Sequence, residues 1–118
     1  MILIVAAAAG NRQVLHRVLV DAGLSVSAVK DEAQAEEAVG LKTGDIRVAV
    51  IDLAGLSPRV WSLCRTFSAQ KVACVVILPR ENREALAQAL ACGARAVLVK
   101  PLVMREFLPL ILGLAGTP

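Results

Sequence analysis

Short apolar runs alternate with segments of helical period five times along the chain. The first run, 1–6, is apolar throughout, which is typical of a parallel strand that is buried on both faces. The second run, 24–29, alternates apolar and polar residues, as expected for a strand at the edge of a sheet. Three further runs predict strands over 47–52, 72–78 and 94–99.

Each run is followed by a segment with apolar residues at helical spacing and a recognisable start. Asn11 and Asp31 are the predicted caps of the first two helices, because their side chains accept hydrogen bonds from free helical N–H groups. Gly23 ends the first helix and the second ends around Gly40 to Gly44. The later helices are predicted to start at Ser57-Pro58, at Glu81 or Asn82, and at Val103, the last one running to about Ala115 despite Pro109.

This alternation predicts an α/β fold of the (βα)5 type. Right-handed crossovers place helices on both faces of a doubly wound, five-stranded parallel sheet. The 118 residues fit one domain spanning 1–118. The final segment, Gly116-Thr117-Pro118, is either a true end or the start of a linker to an output domain.

Composition excludes disorder and disfavours nucleic acid as a partner. Apolar residues make up 57% of the chain, so a core can form, but only three residues are aromatic and no base-stacking platform is available. The net charge is +3, yet the cations are scattered singly from Arg12 to Arg105 without a basic stripe. We therefore expect an ordinary solvated surface and no direct binding of nucleic acid.

The cysteines and the single histidine do not form a metal or redox motif. Cys64, Cys74 and Cys92 are odd in number and lack a C-x-x-C pair, so we expect reduced, packed thiols in a cytoplasmic protein. His16 lies beside Arg17 on the predicted polar side of a helix and is expected at the surface. The apolar runs 2–9 and 107–116 are much shorter than the ~20 residues that span a bilayer, so we expect no membrane segment.

The ends of the predicted strands carry the candidate chemistry, because ligands of open parallel sheets bind beyond the carboxyl ends of the strands. Asp52 ends the third strand and Lys100-Pro101 follows the fifth. With the segments Val50-Ile51-Asp52-Leu53 and 93–101 around them, these residues make the chain resemble a response-regulator receiver domain of the CheY-like type. The resemblance extends over the whole chain.

The resemblance implies a flavodoxin-like sheet of order 2-1-3-4-5 and a phosphorylation site at its carboxyl edge. Asp52 takes the phosphoacceptor position, and Lys100 and Pro101 take the lysine-proline position. Receivers also carry two acidic residues after the first strand that hold Mg²⁺, a Thr or Ser after the fourth strand that binds the phosphoryl group, and an aromatic switch residue on the fifth.

The chain departs from this pattern at all of those further positions. The acidic pair is replaced by Ala6 and Ala7, the hydroxyl by Pro79 and the aromatic by Val97. Mg²⁺ requires oxygen ligands, so we expect weak or absent binding of Mg²⁺ and no resident cofactor. The sequence is therefore interpreted as a degenerate receiver, or pseudo-receiver.

Without a metal, Asp52 is expected to pair directly with Lys100 and to hold the surrounding loops in one state. The alternative is that Asp52 is an exposed relic of the family's site, because surface charges often contribute little.

Three functions remain open. The leading hypothesis is a phosphorylation-independent signal-transduction module of a bacterial two-component or transcription-regulatory system that acts through protein contacts or dimerisation. The alternative is a receiver that a histidine kinase phosphorylates on Asp52. A small enzyme or nucleotide binder is disfavoured, because the turn 6–11 contains only Gly10 and lacks a phosphate-binding glycine pattern. We therefore expect no catalytic residues.

The last helix suggests the contact surface, because it is apolar almost all round and exceeds what one core-facing stripe can bury. Receivers commonly dimerise through the fourth helix, fifth strand and fifth helix, so the resemblance implies a homodimer or a protein partner there. An equal alternative is that the apolar residues of this helix pack against a following domain, or that they form the end of a helix in the intact protein. The interface candidates are Leu86, Leu90, Val103, Phe107, Leu110, Ile111 and Leu114.

Overall fold

A computed structural model describes residues 1–41 and 44–116 of the chain. Strands and helices alternate five times within these residues, as the sequence predicts. The strands are β1 (Ile2–Val5), β2 (Val26–Val29), β3 (Val48–Asp52), β4 (Ala73–Leu78) and β5 (Ala96–Val99). The helices are α1 (Ala9–Asp21), α2 (Glu32–Leu41), α3 (Arg59–Ala69), α4 (Arg83–Ala91) and α5 (Met104–Ala115). Among the described residues, no helix is long and apolar enough to cross a membrane.

The five strands form one parallel sheet of order β2-β1-β3-β4-β5, which confirms the predicted fold class and strand order. Every residue of β1, β3 and β4 is buried, whereas β2 is half-buried along its length and β5 is half-buried to exposed. The order explains this difference, since β2 and β5 are the two edges. The predicted edge position of β2 is therefore confirmed.

The two faces of the sheet are covered by different helices. Side chains alternate along each strand, so Leu3 and Val5 face one layer and Ile2 and Ile4 face the other. The first layer contains α2 and α3, and the second contains α1 and α5. Their largest fully buried side chains are Phe67 of α3 and Phe107 of α5.

Two of the predicted helix caps are confirmed and one is wrong. Asp31 Oδ1 accepts a hydrogen bond from the Gln34 N–H at 2.8 Å, and Asn82 accepts one from the Ala85 N–H at 3.1 Å. Asn11 does not cap α1, because the helix already begins at Ala9 and Asn11 lies exposed in its first turn. Residues 6–9 are all alanine, which is a good helix former. The residue types alone therefore do not show at which of these positions α1 begins.

The structure places two interface candidates in the core. Phe107 is 1% exposed and Ile111 is 0% exposed, so both are wrong as contact residues. They lie one helical turn apart and pack with β1 and β3 residues of the second layer. The apolar character of α5 on this side therefore serves the fold.

The three cysteines are free and buried, as expected for packed thiols. Cys64 of α3 and Cys74 of β4 lie in the same core cluster. A hydrogen bond with Cys64, together with burial, raises the pKa of the Cys74 thiol above its ordinary value. His16 is exposed, as predicted.

Two predictions fall partly outside the described residues. The predicted end of the second helix around Gly40 to Gly44 includes residues 42 and 43, and the predicted terminal segment includes Thr117 and Pro118. Within the described part, α2 extends to Leu41.

The cap assignments predict different effects for two asparagine substitutions. Asn82→Ala should lower the free energy of unfolding by about 1 kcal/mol, because the first turn of α4 loses its side-chain acceptor. Asn11→Ala is the matched control and should leave stability unchanged or slightly raised, since alanine suits a helical position better. Urea unfolding followed by circular dichroism measures both, and equal losses would contradict the start of α1.

Candidate functional site

The candidate site lies at the carboxyl edge of the sheet, where the ends of β1, β3, β4 and β5 meet. Asp52 is the last residue of β3 and is only 2% exposed. It is buried because its strand lies between β1 and β4 at the centre of the sheet. An ionised carboxylate in such a position needs partners, since burial of an unpaired charge is costly.

Lys100 provides the main partner. Its Nζ lies 2.9 Å from Asp52 Oδ2, and the two side chains are 28% and 3% exposed, respectively. The backbone N–H of Lys100 donates to the carbonyl oxygen of Leu78 at 3.0 Å, which holds the residue at the end of the sheet. The predicted direct ion pair is therefore present, and the alternative of an exposed Asp52 is wrong.

The second oxygen of the carboxylate is also bonded. The backbone N–H of Ala54 donates to Asp52 Oδ1 at 3.2 Å. Each Asp52 oxygen thus accepts one hydrogen bond from within the chain. This arrangement satisfies the carboxylate without a metal ion.

Arg12 is a site residue that sequence reasoning missed. Its Nη1 donates to the carbonyl oxygens of Ala6 at 2.8 Å and Ala7 at 3.3 Å. The guanidinium therefore lies at the end of β1, where the resemblance places the metal-binding acids. One feature of the sequence points to this contact. Arg12 is a lone cation in the first turn of the helix that follows Ala6 and Ala7, and its long side chain can reach back to the end of the strand.

The residues at this edge do not fit Mg²⁺, which the receiver fold implies. The side chains of Ala6 and Ala7 offer no oxygen, and their carbonyl oxygens already accept from Arg12. Asp52 is engaged by Lys100 and the Ala54 N–H. Within 1–41 and 44–116, no group of three His, Cys, Asp or Glu residues could hold a metal. Mg²⁺ prefers six oxygen ligands, but this edge offers it the carboxylate of Asp52, which is already paired with Lys100.

The remaining positions of the resemblance lie on both sides of the pair. Pro79 follows β4, is exposed, and has neither a hydroxyl nor a backbone N–H to donate. Pro101 is exposed, and the Lys100-Pro101 peptide bond is cis. Val97 is half-buried on β5 and packs against the cluster that includes Val76 and Ala85. Pro79 and Val97 thus stand where the family pattern has a hydroxyl and an aromatic, whereas Pro101 matches the pattern.

The exposed interface candidates lie along α4 and the start of α5. Leu86 is 41% exposed, Leu90 is 56% exposed and Val103 is 41% exposed. Val99, the last residue of β5, is 39% exposed. Leu110 and Leu114 are half-buried and pack against the second core layer. The apolar surface is therefore smaller than the sequence suggested.

The opposite edge of the sheet gathers cations that the sequence scatters. Arg47, Lys71 and Arg95 lie at or just before the starts of β3, β4 and β5, and all three line a polar cleft of about 430 Å³. The guanidinium of Arg47 also donates to the carbonyl oxygen of Ala115 at 3.3 Å. Cations that are scattered singly along the sequence thus meet at this edge of the fold.

Loss of Lys100 should destabilise the domain. Lys100→Met leaves the Asp52 carboxylate buried with one of its two bonds, so we expect the free energy of unfolding to fall by about 2 kcal/mol. Urea unfolding of this variant, of Asp52→Asn and of the double variant gives the coupling energy between the two residues. Strictly additive losses would argue against the ion pair.

The comparisons with known proteins identify the fold. No family model matches the sequence, and no curated protein is similar enough in sequence to count as a relative. Among solved structures, a Burkholderia pseudomallei protein described as related to pilus assembly is 26% identical, with a TM-score of 0.79 and coverage of 97% of this chain and 87% of that one. A response regulator receiver protein from Pseudomonas putida is 22% identical, with a TM-score of 0.82 and coverage of 93% of both chains.

A two-component response regulator from Clostridium difficile is also 22% identical, with a TM-score of 0.80 and coverage of 97% of this chain and 93% of that one. These likenesses agree with the strand order of the sheet. The chain therefore has the fold of response-regulator receiver domains, the CheY-like form of the flavodoxin fold.

Proposed function

We propose that this chain is a degenerate receiver domain that takes part in bacterial two-component-type signalling through protein contacts, without phosphorylation of Asp52. It has no catalytic residues and no resident metal in this proposal, and it works in the cytoplasm. The single observation that carries the proposal is the closed Asp52–Lys100 pair, in which both carboxylate oxygens are bonded within the chain.

Phosphorylation of Asp52 would have to disrupt this arrangement. An attacking carboxylate oxygen needs an open line to the phosphorus atom, and the developing charge needs a cation beside it. Asp52 Oδ2 is held by Lys100, and the carbonyls of Ala6 and Ala7 are held by Arg12. The residues that would recruit Mg²⁺ are absent from the positions implied by the fold, so no metal ion prepares Asp52 for attack.

The absent hydroxyl and aromatic support the same proposal. A phosphoryl group on Asp52 would meet Pro79, which cannot donate a hydrogen bond. Val97 has one stiff side-chain torsion and packs against α4, so it has no alternative rotamer comparable to an aromatic flip. Such a domain acts through the surface it presents to a partner, without a phosphoryl-driven switch.

Treatment with a small-molecule phosphodonor and Mg²⁺ should leave the intact mass of the protein unchanged. The physical reason is the absence of a metal site beside an already paired acceptor. A receiver domain that retains the acidic pair, treated in parallel, controls for the donor.

The alternative function, phosphorylation of Asp52 by a histidine kinase, predicts the opposite result. A stoichiometric adduct that disappears in Asp52→Asn would establish Asp52 as an acceptor and overturn the proposal. An adduct that persists in Asp52→Asn would instead lie on another residue and leave the proposal intact.

The proposed contact surface consists of Leu86, Leu90, Val99 and Val103, which we call the α4–β5 face. All four side chains are between 39% and 56% exposed. Leu86 and Val99 line one cleft together, and exposed apolar side chains favour a protein contact, because burial removes them from water. We propose a second copy of the chain as the partner, with a following output domain as the alternative occupant.

Leu90→Glu should weaken self-association at least tenfold, because it places a charge at the most exposed residue of the α4–β5 face. Val20→Glu is the matched control, since Val20 is a 44% exposed apolar residue on α1, outside this face. Sedimentation equilibrium, with and without Mg²⁺ and phosphodonor, measures the dimer. A wild-type protein that stays monomeric, or equal effects of both substitutions, would contradict the homodimer.

A further inference from the structure

A cleft of about 530 Å³ opens beside the Asp52–Lys100 pair. Its walls come from α1 and from the segment that joins β5 to α5, and its floor contains the ion pair. Pockets of a few hundred Å³ commonly hold small molecules. The proposed function gives this cleft no role.

The walls of the cleft are mostly apolar. Val14 of α1 is 56% exposed and Met104 at the start of α5 is 37% exposed, and both line the cleft together with Leu15 and Leu102. An apolar ligand would remove Val14 and Met104 from water, which is favourable in proportion to the area buried. A hydrated Mg²⁺ ion would gain nothing from such walls.

The polar end of the cleft offers a hydrogen-bond donor. The Lys100 ammonium has three N–H groups, and among the described residues its side-chain contact is the one with Asp52 Oδ2. The side chain of Lys100 is 28% exposed, whereas that of Asp52 is 3% exposed. A ligand thus meets the ammonium before it meets the carboxylate, and it needs an acceptor oxygen.

The charge balance at this edge favours an anion. Asp52 and Lys100 cancel, and they are the charged side chains that line the cleft. Arg12 adds one positive charge close to the end of β1, where it donates to carbonyl oxygens, and in the part of the chain that the structure describes no acid lies within ion-pair distance of it. The cleft lining is therefore neutral and Arg12 adds one positive charge near it, which suits a monoanion.

We propose that this cleft binds a small aliphatic monocarboxylate, with its carboxylate on Lys100 Nζ and its branched chain against Val14, Leu102 and Met104. This ligand deepens the proposed function, because it supplies a signal that needs no phosphoryl transfer. The Asp52–Lys100 pair stays intact and serves as the floor of the site.

Titration with 4-methylpentanoate tests the site, with backbone amide shifts in two-dimensional NMR as the readout. We expect saturable shifts at residues 11–15, 100 and 102–104, since Pro79 and Pro101 have no backbone N–H. Val14→Ser should weaken binding about fivefold, because it removes most of an apolar wall residue. Val20→Ser is the matched control, since Val20 is an exposed valine of the same helix that does not line the cleft, and it should bind as the wild type does.

The contact with Lys100 is tested on the ligand, because loss of Lys100 also destabilises the domain. The alcohol 4-methylpentan-1-ol has the same aliphatic body without the charge, and it should bind at least about tenfold more weakly than the acid. Equal binding of acid and alcohol would overturn the role of Lys100. Absence of saturable shifts up to about 10 mM acid, or equal losses in Val14→Ser and Val20→Ser, would overturn the site itself.

Inorganic phosphate serves as the competing probe. If phosphate displaces the acid and binds more tightly, the cleft is a phosphate site and the proposal fails. These outcomes are independent of the phosphodonor experiment, which reports a covalent change on Asp52. A domain that binds the carboxylate and is also phosphorylated would overturn the proposed function alone.

Discussion

The contact between Lys100 and Asp52 is the interaction on which the rest of the carboxyl edge depends. Asp52 ends the central strand and is almost completely buried, so its charge must be met from within the fold. Lys100 meets it at 2.9 Å while its own backbone is bonded to the end of β4. This contact joins the ends of β3 and β5, and the chain that continues from Lys100 forms one wall of the cleft.

Two side-chain cations, Arg12 and Lys100, lie at this carboxyl edge. In the family pattern, acidic residues gather a metal ion and the metal prepares the acceptor. Here Ala6 and Ala7 stand at the acidic positions and Arg12 bonds their carbonyl oxygens, while Lys100, at the family's lysine position, contacts Asp52. An apolar cleft opens beside the Asp52–Lys100 contact.

The helical layers show how the same apolar composition serves packing and contact. Phe107 and Ile111 face the sheet and are removed from water, whereas Leu90 and Val103 remain exposed. Sequence hydrophobicity alone does not separate these groups, because α5 is apolar on several sides. The separation follows from the angle at which each helix lies on the sheet, which depends on contacts far apart in sequence.

The sequence by itself determined the (βα)5 order, the parallel sheet, the edge position of β2, and the placement of Asp52 and Lys100 at strand ends. These features follow from local periodicity and from the rule that parallel strands end at one edge. The tertiary structure alone decided that Arg12 reaches the carbonyls of Ala6 and Ala7, that α1 starts before Asn11, and that Arg47, Lys71 and Arg95 meet at the opposite edge. The physical reason is that side-chain reach and the convergence of distant strand ends are properties of three-dimensional distance, whereas hydrophobic periodicity is a property of neighbours along the chain.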